Sequence, residues 1–196
     1  IQLSAEHAQR VNIDQGRPLS PALDECMTAI LSQVRILRQI SSEFSNFASS
    51  PTARPEAVDV GALLDEVTEP YRLGLASRIT LVVDSQPGLP QAFIDRTLFA
   101  RALINVMENA LHAMPGGGSL TIRATADGAE GGTPASTIVV DVTDTGMGMD
   151  AEALARIFEP YFSTKATGTG LGLTIARRNV ELLGGTIGVR SERGQG

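Results

Sequence analysis

Two asparagines four residues apart, Asn105 and Asn109, stand in a helical pattern flanked by Leu103, Ile104, Val106 and Leu111. That spacing puts them on one face, with Glu108 and His112 on or beside it. Asparagine is a mediocre helix former because its amide competes for backbone hydrogen bonds, so a pair in mid-helix calls for a reason. An amide oxygen is a neutral ligand for a hard cation, and Mg²⁺ takes a few protein oxygens together with phosphates and water. Two solvent-facing amides would explain the pair equally well. Farther on, Asp144-Thr145-Gly146-Met147-Gly148-Met149 follows a β-branched run. A carboxylate at a strand end followed by glycines can accept a hydrogen bond from an exocyclic amine while the backbone passes close to a ligand. Taken alone, the same segment is compatible with a plain turn. Gly168-Thr169-Gly170-Leu171-Gly172-Leu173 opens a helix, where bare N–H groups and the positive dipole end favour phosphate. It is not a P-loop, since no Gly-Lys-Ser/Thr follows, and its glycine spacing does not fit a dinucleotide fingerprint. Between the two glycine segments lies Ile157-Phe158-Glu159-Pro160-Tyr161-Phe162-Ser163-Thr164-Lys165. Its aromatics suit a flap pinned at one hydrophobic point, or a surface loop with a local core. Of the 16 basic residues, 15 are arginine and Lys165 is the one lysine. A GC-rich coding bias would account for that by itself.

These groups need elements to hold them. Asp95 can cap a helix over 96–114 that carries the asparagines, and Asp59 one that runs to about residue 77. Residues 79–84, 119–126 and 137–143 read as strands, the last two joined by a glycine-rich loop at 127–135. An irregular glycine-rich segment is expected over 146–170, then a helix over 171–183 and a last strand over 186–190. Strands and helices alternate with hairpin-like neighbours, which points to an α+β fold with a mixed sheet and helices on one face. Ahead of this lies a helix from Pro21 to about residue 49. Apolar residues at Leu23, Met27, Ile30, Val34, Leu37 and Phe44 form a heptad seam, widened by Cys26, Ile36, Ile40 and Phe47. Ser20 and Pro21 suit its start, and Pro51 and Pro55 its end. A shorter helical stretch, about 1–11, would make an antiparallel hairpin with it. At 1.5 Å per residue the long helix spans about 43 Å and the short one about 17 Å, so the first helix is expected to begin upstream of Ile1. The expected domains are 1–50, a linker at 51–58, and 59–196.

Composition bounds the function. The chain has 196 residues, 42% hydrophobic and 19% charged, enough for one large or two small cores. It contains no apolar run of 18 residues and no basic-then-apolar leader. One cysteine excludes an internal disulfide and a cysteine-based zinc cluster. A net charge of −6 argues against nucleic-acid binding.

The order of the motifs is more specific than any one of them. The Asn105/Asn109 helix, then DTGMG, FEPYF, GTGLGL and Gly184-Gly185-Thr186-Ile187 resemble the nucleotide-binding domain shared by sensor histidine kinases, gyrase-type topoisomerases, Hsp90 and MutL. The resemblance covers about 59–196. It implies a two-layer α/β sandwich of the Bergerat type, with ATP and Mg²⁺ as cofactors. By position, Asn109 would hold Mg²⁺ with Asn105 helping, and Asp144 would bind the adenine amine. Gly146, Gly148 and Met149 would shape the pocket. Phe158 and Phe162 would anchor an ATP lid carrying Thr164 and Lys165, the lysine reaching the γ-phosphate. Gly168, Gly170, Leu171 and Gly172 would give the phosphate-facing helix start, and Thr186 would line the adenine site. His112 stands where many relatives have a lysine near the phosphates. ATP-hydrolysing members carry a glutamate at the position of Asn105. An amide there cannot take a proton from water, which favours phosphotransfer, with Asn105 and Lys165 as the catalytic residues, over hydrolysis or a non-catalytic scaffold.

The segments Ile1–Glu6 and Ser42–Ala48 resemble the dimerisation and phosphoacceptor hairpin of NtrY-like nitrogen-regulation sensor kinases. In those kinases the phosphorylated histidine lies in a His-Glu-x-x-Asn-Pro-Leu stretch just upstream, and His7 lacks that motif. The implied parent is a homodimer joined through the hairpin and anchored in a bacterial inner membrane by upstream segments, with this part in the cytoplasm. It would pass phosphate to an aspartate of a response-regulator receiver domain.

Overall fold

A computed structural model describes residues 21–48, 52–75, 78–127, 137–165 and 168–194. The chain divides into two compact units, Ile1–Ser49 and Ser50–Gly196. In the first, helix α1 spans Pro21–Ala48. The expected partner helix over 1–11, the Ser20 cap and His7 lie outside the described residues. On α1 the seam residues Leu23, Ile30 and Leu37 are exposed, whereas Leu31, off the seam, is buried. Cys26 is exposed as well. No helix among the described residues is long and apolar enough to cross a membrane.

The second unit is α/β. Its elements run β1 (Glu56–Val58), α2 (Val60–Leu75), β2 (Ile79–Ser85), β3 (Ala92–Ile94), α3 (Arg96–Ala113), β4 (Gly118–Asp127), β5 (Thr137–Asp144), α4 (Ala151–Arg156) and α5 (Gly172–Leu182). The main sheet has the order β2-β4-β5. β2 and β4 are parallel, with Leu81 opposite Leu120. β4 and β5 are antiparallel, with Ile122 opposite Val142. The mixed sheet is therefore as expected. Alternation decides its faces: Leu120, Ile122 and Ala124 point inward and are fully buried, while Arg123 between them is exposed. The inward residues meet Val60 and Leu64 of α2 and Leu103, Met107 and Ala110 of α3 in one core. Helices thus cover one face, and the polar outer face carries the Arg123–Asp84 ion pair.

Three short elements escaped the sequence pattern. β1 and β3 form a two-stranded antiparallel ladder of three residues each, so residues 56–58, expected in the linker, are strand instead. The 146–170 segment contains α4, a six-residue helix whose N-cap Asp150 accepts the Ala153 N–H at 2.9 Å. Three to six residues are too few for a hydrophobic period to register. In the other direction, the expected strand over 186–190 is irregular. Gly184, Gly185 and Gly188 interrupt it, and no ladder pairs it among the described residues.

The start of α3 is fixed by one carboxylate. Asp95 Oδ1 accepts the Leu98 N–H at 3.0 Å, and Oδ2 accepts the Arg54 N–H at 2.8 Å, tying the entry to β1 to the helix. These bonds, the Arg54 one first, hold its carboxyl below the usual carboxylate range. A group held down in this way stabilises the fold above its unfolded pKa and loses that contribution as acid titrates it. Asp95→Ala should lower stability by about 0.5–2 kcal/mol in urea unfolding at pH 7. The difference from the unchanged chain should shrink as the pH falls below about 4.

Candidate functional site

The exposed side of α3 carries the site. Its inner stripe, Leu98, Ala102, Leu103, Met107 and Ala110, is buried. That leaves Asn105 and Asn109 half-buried on another side. Both asparagines meet other motifs. Lys165 Nζ donates to Asn109 Oδ1 at 2.7 Å, across 56 residues of chain. Asn105 Oδ1 lies beside the first residue of α5, 3.6 Å from where a Cβ on Gly172 would be. The helix face, the lid lysine and the glycine-rich helix start therefore converge.

The DTGMG turn docks on the other end of α3. The Met147 N–H donates to the Ala113 carbonyl at 3.1 Å. Gly146 is buried against the same residue: a Cβ there would lie 2.7 Å from Ala113 Cβ and 2.8 Å from its carbonyl oxygen. Only glycine allows that approach. Asp144 Oδ1 accepts the Gly146 N–H at 2.8 Å, which fixes the carboxylate at the strand end. Thr145 braces the turn, since the Ser119 N–H donates to Thr145 Oγ1 at 3.0 Å and the Thr145 N–H donates to the Ser119 carbonyl at 3.2 Å. Met149 is held by its N–H, which donates to Ser191 Oγ at 2.9 Å.

The lid is clasped at its ends. The Tyr161 N–H donates to the Gly170 carbonyl at 3.1 Å. Gly170 has φ 68°, and a Cβ on it would lie 2.5 Å from the Tyr161 carbonyl carbon and 2.6 Å from the Phe162 oxygen. Tyr161 itself has φ 64°, a left-handed conformation that costs a non-glycine residue about 1–2 kcal/mol. Thr174 Oγ1 donates to the Phe158 carbonyl at 3.1 Å, joining the lid to α5. The two phenylalanines are half-buried, and each is faced by an arginine. Arg156 stands 4.3 Å from the Phe162 ring centre, Arg177 5.5 Å from that of Phe158. Such contacts stabilise by about 0.5–2 kcal/mol, depending on desolvation. At the tip, Ser163 Oγ accepts the Lys165 N–H at 3.1 Å. Lys165 is exposed as a residue, and partial desolvation of its ammonium lowers its pKa.

Two expected members stand apart. His112 is exposed and turns its Nδ1 to the Glu108 carbonyl of its own helix at 2.6 Å. Thr186 is exposed on the irregular segment after α5. Thr164 is exposed on the lid, and Gly148, Gly168 and Leu171 lie in the glycine turns. Sequence reasoning did not find Arg156, Arg177, Thr145, Thr174, Ser191 or the Ala113 carbonyl. In a chain with 15 arginines nothing marks two of them, and backbone acceptors leave no trace in residue type.

Residues 94–196 match the family described as histidine kinase-, DNA gyrase B- and HSP90-like ATPases. The chain belongs to this family. It is 33% identical over 199 residues to nitrogen regulation protein NtrY of Azorhizobium caulinodans, covering 95% of this chain and 24% of that protein. It is 36% identical over 163 residues to sensor histidine kinase ZraS of Klebsiella oxytoca, covering 82% of this chain and 34% of that one. Among solved structures, full-length ShkA in complex with AMPPNP is similar at a TM-score of 0.74 and 26% identity, covering 90% of this chain and 37% of ShkA. The chain thus spans between 24% and 37% of these relatives. The α+β sandwich read from its motifs is the fold of this ATPase family.

In this ATPase-family domain the clasp is a steric matter of one glycine. Gly170→Ala should collide with the Tyr161–Phe162 backbone and release the Tyr161 amide. Hydrogen exchange at that amide is expected to speed up by roughly tenfold or more, with α3 exchange unchanged. Unaltered exchange at Tyr161 would show that the clasp does not depend on glycine.

Proposed function

We propose that this chain is the ATP-binding catalytic part of a two-component sensor histidine kinase, with a portion of its helical dimerisation hairpin at 1–50. The observation that carries the reading is the convergence at α3. An amide pair, an ammonium and a glycine-rich helix start meet there from three separate motifs. That is a phosphate-and-cation environment, and the DTGMG carboxylate at the far end of the same helix supplies the purine end.

The residues fit Mg²⁺ in a particular way. Among the described residues no three His, Cys, Asp or Glu side chains cluster to hold a metal. A hard cation must therefore bring most of its ligands, as nucleotide phosphates and water would, and take one or two amide oxygens from the protein. Asn109 Oδ1 accepts from a cationic group, Lys165 Nζ, at 2.7 Å, which supports the reading of that oxygen as an acceptor for positive charge. Asn109, with Asn105 beside it, would hold the ion, and bound Mg²⁺ would neutralise phosphate charge. Asp144 would accept the adenine amine, with Gly146, Gly148 and Met149 forming the pocket wall. Phe158 and Phe162 anchor the lid that presents Thr164 and Lys165 to the terminal phosphate. Gly168, Gly170, Leu171 and Gly172 would give the phosphate-facing helix start, with the Gly168 N–H donating to the Lys165 carbonyl at 3.2 Å and the Leu171 N–H to Thr169 Oγ1 at 3.4 Å before any nucleotide enters.

Transfer rather than hydrolysis is favoured by Asn105. Its amide sits where a carboxylate would be needed to take a proton from water. The γ-phosphate would pass to a histidine of the parent protein and then to a response-regulator aspartate. The relatives named as a sensor histidine kinase and a nitrogen regulation protein support this. Homodimerisation through the hairpin and inner-membrane anchoring of the parent belong to the same proposal. His112, turned to its own helix, and Thr186, exposed, have less support as nucleotide contacts than the rest.

Titration calorimetry with AMPPNP and Mg²⁺ should show binding to this chain. Asn109→Leu and Asp144→Asn should each weaken it by roughly tenfold to a hundredfold, the scale of removing a metal-linked or charge-assisted contact. Unchanged binding in either variant would undo the site assignment. With γ-labelled ATP this chain alone should retain no label of the base-stable, acid-labile kind. Such label on the chain would overturn the reading of the phosphoacceptor, and steady phosphate release would point to an ATPase.

A further inference from the structure

The Lys165–Asn109 bond has two properties that matter together. It is made by the chain's single lysine, and it uses the oxygen proposed to face the metal. A divalent cation and an ammonium on one amide oxygen would stand within about 4 Å of each other and repel strongly in a partly desolvated site. The two occupancies exclude each other. Metal-bound nucleotide must therefore displace Lys165 from Asn109 as it enters.

What the lysine gains on displacement depends on the ligand. The Lys165 backbone is held at the lid tip by Ser163 Oγ, which accepts the Lys165 N–H at 3.1 Å. The lid ends are fixed by the Tyr161–Gly170 and Thr174–Phe158 bonds. Only the flexible four-carbon stem is then free to swing, and its reach from Asn109 is short. A triphosphate places its terminal phosphate next to the metal, within that reach, and gives the ammonium a stronger partner than a neutral amide. A diphosphate ends one phosphate short. With it the lysine exchanges Asn109 for water alone and loses its hydrogen bond without gaining a ligand partner.

We infer that Lys165 is a specificity-determining residue that sets triphosphate against diphosphate by competing with the metal for Asn109 in the empty site. A lysine that only gripped the terminal phosphate would favour triphosphate without touching diphosphate affinity. Competition at Asn109 actively disfavours the diphosphate. This rests on the nucleotide reading of the site given above and adds its selectivity.

The test uses the 196-residue chain and Lys165→Met, which keeps the apolar stem and removes the ammonium from an exposed side chain. Calorimetry is run with ADP and with AMPPNP, each with Mg²⁺. Loss of a charge-assisted bond predicts that the variant binds ADP roughly three- to tenfold more tightly and AMPPNP roughly tenfold more weakly. Lys165→Gln should move both affinities in the same directions. ADP affinity that is unchanged or weaker in both variants overturns the inference while leaving the proposed function standing. Failure of the unaltered chain to bind either nucleotide overturns the proposed function, and this inference with it. The bond itself is read without nucleotide, because a protease specific for lysine can cut this chain only after residue 165. Asn109→Leu should speed that cut by roughly threefold or more while an arginine-specific protease cuts at its former rate. An unchanged rate after Lys165 would show that Asn109 does not hold the lysine.

Discussion

The site depends on the burial of one helix. α3 is pressed on its inner side against the sheet by Leu103, Met107 and Ala110. It is tied to α5 by Asn179, a buried side chain whose Nδ2 donates to the Leu98 carbonyl at 3.3 Å. Burying an amide is unfavourable unless it is paired, so this bond fixes how α5 lies on α3 rather than merely allowing it. Once that packing is set, the rotational position of α3 has no freedom left. Asn105 must face the start of α5, Asn109 must face the lid, and the Ala113 carbonyl must meet the DTGMG turn. Burial of about 1.5–3 kcal/mol per large apolar side chain decides where two polar amides point.

The lid is built on a different balance. Its strained Tyr161 opposes the clasp by about 1–2 kcal/mol. The clasp hydrogen bond returns about 0.5–1.5 kcal/mol. The two arginine–phenylalanine contacts add a similar amount each. The sum is within a few kcal/mol of zero, whereas α3 is fixed by several fully buried residues. A rigid wall and a loosely balanced flap are what a site needs if the ligand must enter and then be enclosed.

The sequence exposed the parts of this design that have a period or a chemical oddity. α3, β2, β4, β5 and α5 were legible because ten or so residues of regular pattern outweigh local preferences. Asp59 and Asp95 marked helix starts because a cap needs a specific side chain. The asparagine pair, DTGMG and GTGLGL were legible because residue types unfavourable to helix or sheet interiors stood in fixed order. What was not legible came from tertiary partners. β1 and β3 exist only because each supplies the other with a ladder, and α4 only because Asp150 caps a single turn or two. The irregular 186–190 segment erred the other way: Thr186, Ile187 and Val189 have strand propensity but no neighbour to pair with among the described residues. On the heptad helix, Leu23, Ile30 and Leu37 keep the spacing of a seam and are exposed.

The cations of the site show how residue chemistry, and not charge alone, was selected. Arg156 and Arg177 lie over phenylalanine rings and also meet Glu159 and Glu181, at 2.9 and 2.8 Å. A planar guanidinium can stack flat on a ring and still turn its edge to a carboxylate, whereas an ammonium has no plane to stack. At residue 165 the requirement is reversed. On the proposed displacement the group leaves one acceptor and reaches another from the same backbone position, for which a compact charge on a flexible stem serves better than a wide fork that prefers two bonds at a time. A coding bias toward arginine explains why lysine is absent elsewhere. It does not explain why the one exception donates to Asn109, the residue on which the cation chemistry of the proposed site turns.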